Sequence, residues 1–237
     1  MIRDKIVTIL AVLLFAETGL YAVPEKIFTS SGYIFPGDEY GIVRIYNDDT
    51  VVNMLGGSAD YIATYDRSTL NVVYGQTQSE AFDYSLINIY GGTHSGVLAS
   101  DNGIVNFSGD SVSWYLLASD FGVINMIGGT VEALGAAGSG TLNLYYGQVT
   151  DVLSVYDNAV VNIFGHDLGK TNVGGEYGYG QVYGFLLDDL PFVIDFYTPE
   201  AYSHTNLIPE PGTLLLLGLG GLILRQDFPS SKGSFLV

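Results

Sequence analysis

The chain has 237 residues, of which 25 are acidic and 8 are basic, so its formal net charge at neutral pH is −17. That balance argues against nucleic-acid binding, which needs clustered Lys and Arg, and the absence of Cys excludes disulfides and thiolate metal sites. A hydrophobic fraction of 48% excludes a disordered acidic tail, while 31 Gly and 18 Tyr favour an all-β chain rich in turns.

Residues 1–22 have the pattern of a secretory signal peptide. Arg3 and Lys5 precede an apolar run over residues 6–16, and Ala22 supplies a small residue after which cleavage can occur. The run is too short for a permanent membrane span. The segment therefore predicts a signal helix and export of the rest of the chain. A buried N-terminal core helix is the alternative.

An internal repeat fills the middle of the chain. An Asn flanked by two apolar residues recurs seven times, at successive spacings of 17 to 19 residues. These asparagines are Asn53, Asn71, Asn88, Asn106, Asn125, Asn143 and Asn162. Units of about 18 residues cannot bury a core alone, so they must stack on one another.

Other positions repeat together with the Asn. An Asp stands five residues earlier in six of the seven copies, and Gly138 occupies the seventh. These residues are Asp48, Asp66, Asp83, Asp101, Asp120 and Asp157. A small residue follows two positions after each of them, and a Gly follows each Asn by three or four residues. Each unit is thus predicted to contain two strands separated by an Asp turn and a Gly corner.

The repeat predicts an all-β fold, a parallel β-solenoid (β-helix) of about seven 18-residue coils over residues 43–168. The solenoid with its caps is predicted to span residues 23–207, with an N-terminal cap over residues 24–46 and a C-terminal cap over residues 169–207. An antiparallel sandwich or barrel is the alternative, since such folds also have short strands and frequent turns.

Alternation along each second strand turns the Asn outward, where stacked amides can hydrogen-bond from coil to coil as a structural ladder. An inward ladder at a bend is the alternative. The Asp column is predicted to form turns. Its two rival roles are a site for calcium or another divalent ion between coils and a glycosidase-like carboxylate pair. Because a repeated column makes all its sites alike, it does not suit catalysis, which needs two carboxylates in different environments.

Other candidate chemistry is weaker. His94, His166 and His204 share no spacing, no GxSxG nucleophile motif is present, and the Gly-rich segment 174–180 lacks the Lys of a phosphate loop. Trp114 and exposed Tyr residues can stack on sugars or form packing ladders. The sequence thus predicts no catalytic residue and no cofactor, with calcium as the alternative.

Near the C-terminus, Pro209-Glu210-Pro211 precedes an apolar run over residues 214–224 and then Arg225. This order of breaker, hydrophobic helix and basic stop resembles the PEP-CTERM sorting signal of exported proteins in Gram-negative bacteria. The resemblance covers residues 208–225 and implies recognition by a membrane-embedded exosortase. The chain departs from the family pattern in having one Arg and then a further tail, residues 226–237.

The resemblance implies an exported protein of the cell surface or extracellular matrix, associated with exopolysaccharide or biofilm material. Its partners would be the exosortase, the secretion machinery and extracellular polysaccharide, with transient membrane contact through the C-terminal segment and none with nucleic acid. We therefore predict a structural or adhesive protein without catalytic activity. The alternative is a carbohydrate-binding or carbohydrate-active β-helix protein, stabilised by calcium.

Overall fold

The computed structural model describes residues 24–210, which form an all-β solenoid of about eight turns. The strands are β1 (Lys26–Phe28), β2 (Gly32–Ile34), β3 (Glu39–Ile45), β4 (Val51–Met54), β5 (Ser58–Thr64), β6 (Thr69–Val72), β7 (Gln76–Ala81), β8 (Leu86–Ile89), β9 (Thr93–Ala99), β10 (Ile104–Phe107), β11 (Val112–Ala118), β12 (Val123–Ala136), β13 (Thr141–Val155), β14 (Val160–Lys170), β15 (Gln181–Leu186), β16 (Pro191–Phe196) and β17 (Thr205–Pro209). One short helix, α1 (Pro199–His204), precedes β17.

Each interior coil contributes two strands that stack in parallel on those of its neighbours. The short-strand side contains β2, β4, β6, β8 and β10, continues through the first parts of β12 and β13, and ends with β14 and β17. The long-strand side contains β1, β3, β5, β7, β9 and β11, followed by the later parts of β12 and β13 and by β16. Parallel pairing throughout the repeat confirms the predicted solenoid and rules out the sandwich and barrel alternatives for this region.

The core lies between the two sides and is built from columns of like residues. On the short strands, the residues either side of each Asn point inward and are fully buried, as Val52 and Met54 are around Asn53. Facing columns such as Leu116, Leu134 and Leu153 come from the long strands. Burying one such side chain contributes about 1.5–3 kcal/mol relative to exposure, and repetition adds this gain coil by coil.

The turns between long and short strands explain the Asp and small-residue columns. The second residue of each turn has a positive φ, for example 54° at Asp101 and 63° at Gly138. Asp and Gly tolerate this left-handed conformation better than most residues, which is why Gly138 can replace Asp. The small residue two positions later is buried; a Cβ added to Gly122 would lie 2.1 Å from the Ala99 carbonyl oxygen.

The first turn differs from the others by one extra residue. Ile45 pairs with Thr64, 19 residues on, whereas Val51 pairs with Thr69, 18 residues on. The positive φ values therefore fall on Asn47 and Asp49 rather than on Asp48. Asp48 has the right distance from Asn53 in the sequence but does not occupy the left-handed position.

The solenoid continues on both sides of the seven copies, which is why it has about eight turns where the repeat predicted about seven. Strand β2 stacks on β4 with Tyr33 opposite Asn53. After β14, an inserted antiparallel hairpin forms between β15 and its neighbours β14 and β16. The chain then passes through α1 and returns as β17, which pairs in parallel with β14.

Two predicted helices, the signal helix and the C-terminal hydrophobic helix, lie outside the described residues. Within residues 24–210, no helix has the length and apolarity needed to cross a membrane.

Candidate functional site: the amide ladder and the face around it

The asparagines of the repeat form one continuous hydrogen-bonded ladder along the short-strand side. Each Asn Nδ2 donates to the Oδ1 of the Asn in the preceding coil at 2.8–2.9 Å, from Asn71 through to Asn162. An eighth member, Asn206 of β17, extends it by donating to Asn162 at 3.0 Å. Each interior amide of the ladder keeps one N–H and one acceptor site for other partners.

The side chains of the seven repeat asparagines face outward and are half-buried, whereas Asn206 is exposed. The sequence did not reveal Asn206, because it lies 44 residues beyond Asn162 and follows a Thr rather than an apolar residue. Asn206 matches the repeat only in the apolar residue that follows it, Leu207.

Two further rows flank the ladder and point the same way. We define the amide face as the seven asparagines of the repeat together with the residues two positions before and two positions after each. The flanking residues are Val51, Leu55, Thr69, Val73, Leu86, Tyr90, Ile104, Ser108, Val123, Ile127, Thr141, Tyr145, Val160 and Phe164. None of the 21 residues of the face is charged, although the chain has a net charge of −17.

Large apolar side chains of the amide face are exposed to solvent. The exposed fraction is 48% for Val73, 52% for Tyr90 and 43% for Ile127. At the N-terminal end the stacked rings of Tyr33 and Phe35, 5.6 Å apart, continue the surface and are also more than half exposed. The face is therefore a strip of amides bordered by apolar ridges.

The Asp column follows one long edge of this face. Asp66, Asp101, Asp120 and Asp157 are exposed and Asp83 is half-buried. Where their carboxylates accept hydrogen bonds, the donor is the backbone N–H of the preceding coil: Asn47 to Asp66 at 2.9 Å, Asp66 to Asp83 at 3.4 Å and Gly138 to Asp157 at 3.4 Å. These three carboxylates thus link neighbouring turns by hydrogen bonds. Among residues 24–210, no group of three or more His, Cys, Asp or Glu side chains is arranged to hold a metal ion.

Most aromatic rings in contact form packing stacks, whereas Trp114 stands apart. Tyr46, Tyr65 and Phe82 stack with centroid distances of 4.8 and 5.0 Å. The Trp114 side chain, in β11, is 67% exposed. The strand register places it between Ser95 and Glu132 of the adjacent coils.

A half-buried polar network lies on the long-strand side. The Tyr61 hydroxyl and the Ser100 hydroxyl each donate to a different oxygen of Glu80 at 2.7 Å. Burial, followed by the negative charge of Glu80, raises the pKa of Tyr61 above its usual range. Because both Glu80 oxygens are engaged by neutral donors, the network fixes the outer surface of three neighbouring coils. The repeat did not predict this network, because Glu80 occupies none of the repeated positions.

The histidines occupy three unrelated environments. His94 is fully buried on β9, and burial lowers its pKa. His166 lies on β14 between Asp189, 2.9 Å from its Nε2, and Asp167, 3.2 Å from its Nδ1. These hydrogen bonds, with that to Asp189 the stronger influence, raise the pKa of His166. His204 closes α1. The structure does not assemble them into one site.

Part of the predicted sorting motif is described. Pro209 ends β17, and the Glu210 backbone N–H donates to the Gly165 carbonyl oxygen at 3.1 Å. Pro211 and Arg225 lie outside the described residues.

A shallow, open groove of about 480 Å³ runs along the Gly corners and is lined by Pro36, Leu55, Tyr74, Gln76 and Thr93 among others. None of its lining residues is titratable at neutral pH. It therefore offers no acid, base or nucleophile beyond hydroxyl and amide groups.

Comparison with known proteins found no matching family model, no significantly similar curated protein and no significantly similar solved structure.

Proposed function

We propose that this chain is an exported structural or adhesive protein of the cell surface or extracellular matrix, associated with exopolysaccharide and without catalytic activity. The observation that carries the proposal is the uninterrupted amide ladder, which stacks the described coils into a rod with a regular, uncharged face. Such a rod presents one surface many times over. This arrangement suits adhesion or scaffolding, whereas catalysis needs groups in unlike environments.

Export through the PEP-CTERM-like segment is part of this proposal. Its test is expression of the full chain in a host that has an exosortase and a polysaccharide locus. We expect the wild-type chain to reach the cell surface or matrix and the Pro209→Ala/Pro211→Ala variant to be retained. Equal export of both would contradict the sorting role.

The adhesive role is tested by incubating the purified protein with polysaccharide from such a host. We expect co-sedimentation of the protein with the polysaccharide and no increase in reducing ends. Release of sugar product would instead make the chain a carbohydrate-active enzyme.

A second candidate, carbohydrate binding, is favoured by Trp114. A Trp ring that is 67% exposed between Ser95 and Glu132 can stack on a sugar ring while its polar neighbours accept or donate hydrogen bonds. We expect Trp114→Ala to weaken glycan binding by about two- to tenfold, since stacked aromatic contacts are worth about 0.5–1.5 kcal/mol. The matched control is Tyr84→Ala, because Tyr84 is 66% exposed but lies in an Asp turn. Equal effects of both changes would dismiss Trp114 as a specific contact.

A further inference from the structure

We propose that the amide face is an interface through which two copies of this chain pair face to face. This inference is independent of the proposed association with polysaccharide. It rests on the distribution of charge, on exposed apolar area and on the regular geometry of the ladder.

The distribution of charge selects this face. Between residues 23 and 208 the chain has 21 acidic residues and only four basic ones, Lys26, Arg44, Arg67 and Lys170. None of the 21 residues of the amide face carries a charge. Two copies of so acidic a chain repel one another elsewhere, and the centres of protein interfaces are depleted in charge. Repulsion between the acidic residues of two copies is therefore weakest when the copies approach through the amide face.

The exposed apolar rows provide a driving force. Leu55, Val73, Tyr90, Ile104 and Ile127 are each between 39% and 52% exposed, and all lie on this one surface. A contiguous exposed apolar patch usually marks an interaction site. Pairing would remove this area from water.

The ladder makes the surface self-complementary. Successive coils present Asn at the same strand spacing, so the ridges and amide row of one copy match those of another. Paired sheets that carry Asn ladders interlock in this way in cross-β assemblies. In a two-fold dimer the same patch occurs on both partners, and the residues nearest the axis meet their own copies. Asn106 belongs to the fourth of the seven repeats, so its coil would lie close to such an axis.

The size of the surface predicts a weak dimer. With β2 and β17 at its ends, nine stacked strands about 4.8 Å apart and five residues about 3.3 Å apart give roughly 40 Å by 15 Å, or about 600 Å² per copy. The total of about 1,200 Å² lies at the lower limit of specific interfaces. Because the acidic Asp turns line one edge, we expect pairing to strengthen as salt rises from about 20 mM to about 500 mM.

The first test compares the full chain with two double variants by sedimentation equilibrium. Val73→Lys/Ile127→Lys places charges on the face, and Leu190→Lys/Val193→Lys makes the same change in charge at exposed apolar residues outside the face. We expect the dissociation constant of the dimer to rise at least tenfold in the face variant and to remain within threefold in the control. Circular dichroism establishes that both variants keep the wild-type strand content.

Two single-cysteine variants, compared with each other, provide a second test that does not depend on any loss of stability. The chain has no Cys, so Ser108→Cys places a single thiol in the central coil of the face, and Ser95→Cys places one at an exposed position of β9 outside the face. We expect mild oxidation to convert the Ser108→Cys protein into a covalent dimer at least tenfold faster than the Ser95→Cys protein. Equal rates, or a wild-type chain that stays monomeric at its highest soluble concentration in high salt, would overturn the proposal. Loss of polysaccharide binding in the face variant with unchanged sedimentation would also overturn it and assign the face to glycan.

Discussion

At the scale of single residues, the turns of the solenoid show how a backbone conformation selects a side chain. The Asp residues of the repeat lie at φ values of 53–57°, except Asp48 in the longer first turn. Most L-residues lose about 1–2 kcal/mol in this region. The column is therefore selected first by conformation, and the carboxylates of Asp66, Asp83 and Asp157 add hydrogen bonds to the neighbouring turn.

This explanation predicts different effects of two substitutions at Asp101. Asp101→Ala should lower the free energy of unfolding by about 1 kcal/mol, whereas Asp101→Gly should stay within about 0.5 kcal/mol of the wild type. Urea unfolding followed by circular dichroism measures both. Asp110→Ala is the control, since Asp110 is also exposed but is not among the residues with positive φ. If Gly and Ala were equally harmful at Asp101, the carboxylate itself would be the selected feature.

The direction of the amide ladder gives a second residue-scale prediction. Asn106 donates to Asn88 and accepts from Asn125. In Asn106→Asp the carboxylate can still accept, but it cannot donate and instead faces the Asn88 oxygen. We expect a loss of about 1–3 kcal/mol in the free energy of unfolding at neutral pH.

The loss should depend on pH, because the introduced carboxyl group can donate again once it is protonated. Its folded-state pKa is therefore expected to lie above the unfolded value of about 3.9. The stability that protonation restores is present below the unfolded pKa and is lost as pH rises through the folded pKa. Urea unfolding at several pH values measures this, with the exposed turn residue Asn102→Asp as control. An equal loss at acid and neutral pH would contradict the directional ladder.

At the scale of elements, one lysine adds to the strand pairing that holds the last coil in place. The Lys170 ammonium donates to the carbonyl oxygens of Tyr202 and Thr205 at 2.6 Å each and lies 4.7 Å from the centre of the Tyr202 ring. The contact joins the end of β14 to the junction of α1 and β17. Because charged hydrogen bonds are worth about 1.5–3 kcal/mol, this side chain holds the returning strand in place.

Removing that lysine should open the end of the rod without unfolding its middle. We expect Lys170→Met to speed amide hydrogen exchange in β17 by about 10–100-fold while exchange in β10 stays unchanged. Exchange monitored by mass spectrometry separates the two strands. Arg67→Met, in an exposed turn, is the matched control. Uniformly faster exchange along the solenoid would show that the ends are not independent of the centre.

The inserted hairpin carries the clearest pH dependence. The hydrogen bonds to Asp189 and then Asp167 raise the pKa of His166. Its contribution to stability is therefore fully present below the unfolded pKa of about 6.5 and is lost as pH rises through the folded value. NMR titration should show a raised His166 pKa that falls in Asp189→Asn but not in the control Asp188→Asn. An unchanged pKa in Asp189→Asn would exclude the proposed hydrogen bond.

The interior coils could be predicted from sequence because each one places the same demands on the same positions. Buried apolar residues, a tolerated positive φ and a ladder amide recur in every copy, so spacing alone identified them. Asp48 was misleading because the extra residue in the first turn shifts the left-handed position to Asn47 and Asp49. Asn206 and the Lys170 contacts were missed because their partners lie 32 to 44 residues away, across the inserted hairpin.

At the scale of the whole molecule, a net charge of −17 opposes compactness. Raising ionic strength should therefore raise the melting temperature, and any divalent cation should do so by screening alone. We expect calcium and magnesium at equal concentration to raise the melting temperature equally, as measured by scanning calorimetry. A larger effect of calcium would favour specific sites between coils, such as the Asp column.

Because neighbouring interior coils pair Asn opposite Asn along the short-strand side, the number of units determines the length of the molecule and little else. Gain or loss of one unit would lengthen or shorten the rod by about 4.8 Å while both end structures keep their contacts. Duplication or deletion of a unit within the gene can therefore change the length of the rod in steps of one strand spacing. No other core residue has to change.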